Sequence, residues 1–124
     1  MNPIECNGRT LAFLGDAVWS LAVRNYLVEE GQGKGKALQQ LSISYVSAKA
    51  QAKFYHALHE ENFFTDEEEA TFKRGRNGNT GSVPHSTDVM TYRTSTGFEA
   101  ILGALYLENK QERIRQIWDK VRTL

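Results

Sequence analysis

An all-α fold, built as one helical bundle, is what this sequence predicts, and three observations carry it. Apolar residues recur at helical spacing along most of the chain, and no stretch alternates apolar with polar residues over the length of a strand. Leucine and alanine are plentiful, and the only prolines are Pro3 and Pro84. The 124 residues fall within the ~100–200 expected of one domain. A single unit over residues 1–124, large enough to bury its own core, is therefore expected.

The elements follow in order. A first helix runs from about Thr10 to Glu29, and Gly31, Gly33 and Gly35 end it in a flexible link. A short helix covers Lys36 to Leu41. A second long helix runs from about Val46 to Glu60, with Ser44 or Ser47 as its N-cap. Thr65-Asp66-Glu67-Glu68 has the spacing of a capping box, and the helix it opens runs through Phe72 and ends near Arg76. GRNGNTGSVPHS, Gly75 to Ser86, then reads as a glycine-rich loop. The last long helix starts between Thr87 and Met90 and runs to Glu108. A terminal helix follows from Lys110, with Ile114, Ile117, Trp118 and Val121 on one stripe.

Fifteen basic residues balance fifteen acidic ones, so bulk charge alone does not make this a nucleic-acid binder. The charges are nevertheless segregated. Glu60, Glu61 and the run Asp66 to Glu69 come first, and Lys73, Arg74 and Arg76 follow at the end of the same helix. That order suits the helix macrodipole without any ligand; it also delivers cations to a glycine-rich loop that can meet phosphates. The lone cysteine, Cys6, excludes an intrachain disulfide and reads as an incidental thiol in a reducing compartment. The N-terminal MNPIECNGRT has no signal-peptide core, and Asp16, Arg24 and Asn25 interrupt the longest apolar stretch, so a cytoplasmic protein is expected.

Two acidic residues stand out. LAFLGDAVWSLAVRNYLV, Leu11 to Val28, is apolar on both sides of its helical wheel, which predicts burial, yet Asp16 projects between Ala12 and Trp19-Ser20. In TSTGFEAILGALYLEN, Thr94 to Asn109, Glu99 projects beside Leu102 and Tyr106, with Ser95 and Thr96 one turn before and Gly103 one turn after. A buried carboxylate must be paired, hydrogen-bonded or bound to metal. Small neighbours leave room for a hydrated ion and a substrate. Two plainer readings stay open: Asp16 pairs with a buried Arg93, and Glu99 serves a Thr96-Glu99 capping box in a helix starting at Gly97. As ligands, two carboxylates from separate helices suit magnesium, with manganese as its substitute, and are too few for an all-protein calcium cage.

At these segments the sequence resembles the ribonuclease III endonuclease domain. LAFLGDAVW (Leu11 to Trp19) is similar to that family's signature, and TSTGFEAILGALYL (Thr94 to Leu107) to its second acidic segment. VSAKAQA (Val46 to Ala52), KRGRN (Lys73 to Asn77) and TDVMTYRTSTGFEA (Thr87 to Ala100) resemble the Mini-III branch, which lacks a double-stranded RNA-binding domain. The resemblance spans nearly the whole chain. It implies that Asp16 and Glu99 are catalytic metal ligands, and that the fold is the ribonuclease III helical bundle. Ala12 and Thr96 stand where the full-length enzymes carry further acids, a loss the Mini-III branch shares. The implied activity is metal-dependent cleavage of double-stranded RNA by an activated water, leaving 5′-phosphate and 3′-hydroxyl ends. The implied substrate is precursor large-subunit ribosomal RNA.

The resemblance also implies duplex contact by the KRGRN segment: Lys73, Arg74, Arg76 and Asn77, with Lys49 and His85 as further candidates. It implies a homodimer, for which Phe13 and Trp19, off the main core stripe, are interface candidates. A ribosomal protein that presents the substrate is a further partner to consider, on which the residues themselves are silent. His56 and His59 read as a surface pair, not as ligands. The competing function is a non-catalytic helical RNA-binding or ribosome-assembly protein; a pair of desolvated acids is what separates the two.

Overall fold

The computed structural model describes residues 2–31, 33–78 and 88–124, and among these every regular element is a helix. A short 3-10 turn, Pro3–Glu5, precedes six α-helices: α1 (Gly8–Glu29), α2 (Lys36–Val46), α3 (Ala48–Glu60), α4 (Asp66–Asn77), α5 (Val89–Leu107) and α6 (Gln111–Val121). The bundle forms around α5, against which α1, α3, α4 and α6 all pack. From Thr94 to Leu105 every residue of α5 is buried except Glu99.

Local chemistry starts these helices. The Asn7 side chain caps α1 by accepting from the Thr10 amide at 2.8 Å, and Asp88 does the same for α5 through Thr91 at 2.8 Å. Thr65 and Glu68 form the expected capping box at the start of α4. Ser47 ends α2 and caps α3. Ser44 does not cap; its hydroxyl, like that of Ser42, donates back to a carbonyl of its own helix, and α2 runs on past the expected end at Leu41 to Val46. Because α5 begins at Val89, Glu99 lies in mid-helix and the Thr96-Glu99 capping box does not form.

Glycines set how closely the helices cross. A methyl group at Gly103 of α5 would come within 2.0 Å of the Leu11 carbonyl oxygen of α1. One at Gly75 of α4 would meet the Ala100 methyl of α5 at 2.7 Å. Gly75 is thus a packing residue inside α4, not the first residue of a loop as its sequence context suggested. The small residues beside Glu99 do not frame empty space either. Gly103 admits the α1 backbone, and the Ser95 and Thr96 hydroxyls turn back to the Tyr92 carbonyl.

An aromatic cluster closes the other end of the core. Trp19 meets Phe98 edge-on at 5.0 Å and Trp118 at 5.3 Å, and its Nε1 donates to the Tyr45 carbonyl at 2.8 Å. Trp19 is fully buried within the single chain. Its expected place in a subunit interface is therefore corrected: the indole needed both an apolar site and an acceptor, and α2 supplies the acceptor from within the chain. Arg113 of α6 holds Glu68 through two 2.8 Å bonds and donates to the Phe63 carbonyl at 2.9 Å, locking α6 to the start of α4. Among the described residues no helix is long and apolar enough to cross a membrane.

Candidate functional site

The α1–α5 crossing builds the site. Gly15 and Gly103 bring the two backbones together, and the residue after Gly15 is Asp16, on the rim of that crossing. Asp16 is exposed, not buried. The two-sided apolar pattern of α1 predicted burial, but its outer face, with Phe13 and Leu21, is uncovered in the single chain. Glu99 is partly buried on the facing side of α5. The two carboxyl groups lie close enough to share a hydrogen bond when Glu99 is protonated.

Their environment is electrostatically unfavourable to two anions. Burial first, then the charge of Asp16 and the hydrogen bond with it, push the Glu99 carboxyl up to about 8; a bond from Gln51 works the other way. Arg93, the expected partner of Asp16, is exposed, and no ion pair between them is formed among the described residues. The pair instead faces Gln51 of α3, whose Nε2 donates to Glu99 Oε2 at 3.3 Å and to the Val46 carbonyl at 3.1 Å. Gln51 lies within the VSAKAQA segment, whose resemblance alone does not single it out. A glutamine flanked by Ala48, Ala50 and Ala52 was the available signal.

This donor set fits a hard divalent cation. Two carboxylate oxygen donors converge without an intervening protein cation, and each would lose its mutual repulsion on sharing one. Among the described residues no group of three or more acidic, histidine or cysteine side chains gathers in a metal-binding cluster. Water would complete such an ion's shell. His59 is engaged elsewhere: its Nδ1 lies 2.5 Å from Glu69, which also accepts from Tyr55 at 2.5 Å, while His56 is exposed.

The candidate nucleic-acid residues divide. Lys73 and Asn77 are exposed at the end of α4. Arg76 lies over the Phe72 ring at 5.7 Å and donates to Asn77 at 3.2 Å, with its guanidinium still at the surface. Lys49 is exposed in the first turn of α3, two residues before Gln51. Arg74 is corrected: it turns inward, donating to the Pro3 carbonyl at 3.3 Å and to the Cys6 carbonyl, and so latches the N-terminal turn to α4. Its partners lie 71 and 68 residues away, so spacing held no hint of them. His85 lies outside the described residues. On the outer face of α1, Phe13 is 84% exposed and Leu21 69%, an apolar strip on which Asp16 also lies.

The chain is similar to known proteins over most of its length. The Ribonuclease III domain model matches residues 9–110. The Mini-ribonuclease 3 of Staphylococcus aureus is 45% identical over 118 residues, covering 95% of this chain and 88% of that protein. That of Enterococcus faecalis is 42% identical over 113 residues, covering 91% and 86%. Among solved structures, the crystal structure of a Fusobacterium nucleatum protein superposes with a TM-score of 0.87 at 35% identity, covering 99% of this chain and 98% of that one.

Proposed function

Because this chain belongs to the ribonuclease III family, in its Mini-ribonuclease 3 branch, we propose that it cuts double-stranded RNA using a divalent cation, magnesium or manganese, held by Asp16 and Glu99. The family makes it an endoribonuclease acting on RNA. The proposal adds that the whole chain works as one catalytic domain in the cytoplasm, on precursor large-subunit ribosomal RNA trimmed near its ends.

The observation that carries this reading is the contact between Asp16 and Glu99 at a glycine-lined helix crossing, where one acid raises the proton affinity of the other. Structural acids avoid such an arrangement, because it costs stability whenever both are ionised. A cation bound there supplies positive charge to the scissile phosphodiester and to the attacking water. Asp16 and Glu99 hold it; Lys73, Arg76, Asn77 and Lys49 position the duplex through its phosphates, with no need to read bases. Hydrolysis in this sense leaves 5′-phosphate and 3′-hydroxyl ends. A non-catalytic RNA binder would have no use for the acid pair.

A duplex has two strands, so two sites are wanted. The exposed strip of Phe13, Ala17 and Leu21 supports a homodimer paired through α1, with each Asp16 beside the seam. The test is cleavage of duplex RNA with magnesium, with EDTA, and by the Asp16→Asn protein. Cleavage is expected only in the first case. Activity that persists through both other treatments refutes the proposed chemistry.

A further inference from the structure

Gln51 is 1% exposed, and a buried amide is costly unless its polar atoms are used. Its Nε2 has two acceptors, the Val46 carbonyl at 3.1 Å and Glu99 Oε2 at 3.3 Å. Both partners being acceptors assigns the amide: turned over, it would set a carbonyl against two oxygens. Among the described residues Gln51 Oε1 is the buried side-chain atom left without a partner. A side chain serving packing alone would be better replaced by one without that oxygen.

The anchor at the far end is firm. Val46 is the last residue of α2, and the following Ser47 ends α2 and begins α3, so its carbonyl sits at a junction fixed from both sides. Gln51 belongs to the second turn of α3 and Glu99 to the middle of α5. The amide therefore ties α2 and α3 to a single carboxylate oxygen of α5. This bond turns Glu99 Oε2 toward α3.

We propose that Gln51 is a positioning residue of the acid pair, fixing the Glu99 carboxylate through Nε2 in the orientation that binds the divalent cation, with its own position set by Val46. This rests on the metal-site reading above. It assigns to the VSAKAQA segment a role in metal affinity that is separate from RNA contact by Lys49.

The test compares the wild type with Gln51→Met, of similar length but no donor, and Gln51→Asn, an amide too short to reach Glu99. Manganese binding is measured on the RNA-free protein by calorimetry or by loss of the free-ion spin-resonance signal. Duplex RNA binding is measured in EDTA, and cleavage is followed across magnesium concentration. Manganese affinity is expected to fall by about 10- to 100-fold, the usual cost of losing a residue that orients a ligand. RNA binding in EDTA should be unchanged, and cleavage should recover as magnesium is raised. A merely structural role would weaken RNA binding and thermal stability together and would not be rescued by the ion. If either variant folds and binds manganese as the wild type does, the positioning role is overturned. Glu99→Gln separates the two levels. Should it too keep full manganese affinity, the metal site itself is wrong and this inference goes with it; loss in Glu99→Gln alone overturns only Gln51.

Discussion

Gly15 and Glu99 touch through their backbones: a methyl group on Gly15 would lie 1.7 Å from the Glu99 carbonyl oxygen. The contact sits one residue from Asp16, so the interhelical distance and the carboxylate pairing have the same cause. Gly15→Ala is expected to push α1 off α5, costing at least about 3 kcal/mol, the upper part of the range for overpacked cores. A thermal melt checks the stability. Any protein that still folds should bind manganese more weakly than the wild type, because its acids have been separated. A variant with an unaltered melting temperature would mean the crossing is looser than described.

The acid pair has a pH signature of its own. Glu99 is pushed up to about 8 from an ordinary 4.5. Between those values the folded protein holds a proton that the unfolded chain has released, so stability is full below the unfolded value and is lost as pH rises through the folded one. In EDTA, the wild type is expected to lose stability between about pH 5 and about pH 8 relative to Glu99→Gln, whose amide does not titrate. Asp16→Asn should flatten that loss by removing the neighbouring charge. Melting temperatures at several pH values, compared among the three proteins, decide it.

Cations at the end of α4 should separate by their orientation. Lys73→Ala and Arg76→Ala are each expected to weaken duplex RNA binding and to reduce the salt dependence by roughly 0.9 for each phosphate no longer neutralised. Arg74→Ala should leave the salt slope alone and instead cost about 2 kcal/mol of stability, the worth of charged hydrogen bonds to the Pro3 and Cys6 carbonyls. Binding isotherms at several salt concentrations distinguish the two behaviours.

A charge on the exposed apolar strip should break subunit pairing. Phe13→Glu is expected to give a monomer by sedimentation or light scattering, with its melting temperature unaffected when compared at equal oligomeric state. Cleavage of both strands of one duplex should fall with the dimer. Retention of the wild-type assembly would move the interface away from α1.

The ion pair between Glu68 and Arg113 offers a control remote from the acids. Burial works to raise the Glu68 carboxyl, but the bonds from Arg113 and Thr65 outweigh it and hold the carboxyl below its ordinary value. Arg113→Ala is expected to destabilise the fold by about 3 kcal/mol, as when one partner of a buried pair is removed. Its manganese affinity should be that of the wild type.

The helices were legible because each carries a local signal. Thr65 and Glu68 announce α4, and the small residues of α5 mark it for burial. Legibility ends where a second segment decides. Trp19 looked available on α1 until α2 offered the Tyr45 carbonyl, and Arg74 looked like a phosphate contact until the N-terminal turn supplied two carbonyls. Asp16 was expected inside because an apolar outer face is ordinarily a covered one. The pairing of Asp16 with Glu99 was readable as chemistry, but its cause, a glycine contact between helices more than 80 positions apart in sequence, belongs to three dimensions. Gln51 was hidden for the same reason, since its partner is 48 residues away.

Trp19 and Trp118 are the chain's only tryptophans, and their rings lie 5.3 Å apart beside Tyr45. Both fluorophores thus report from a single dry spot where α1, α2 and α6 converge. Their emission will redden when that junction opens to solvent. The molecule carries an intrinsic optical thermometer for its own integrity.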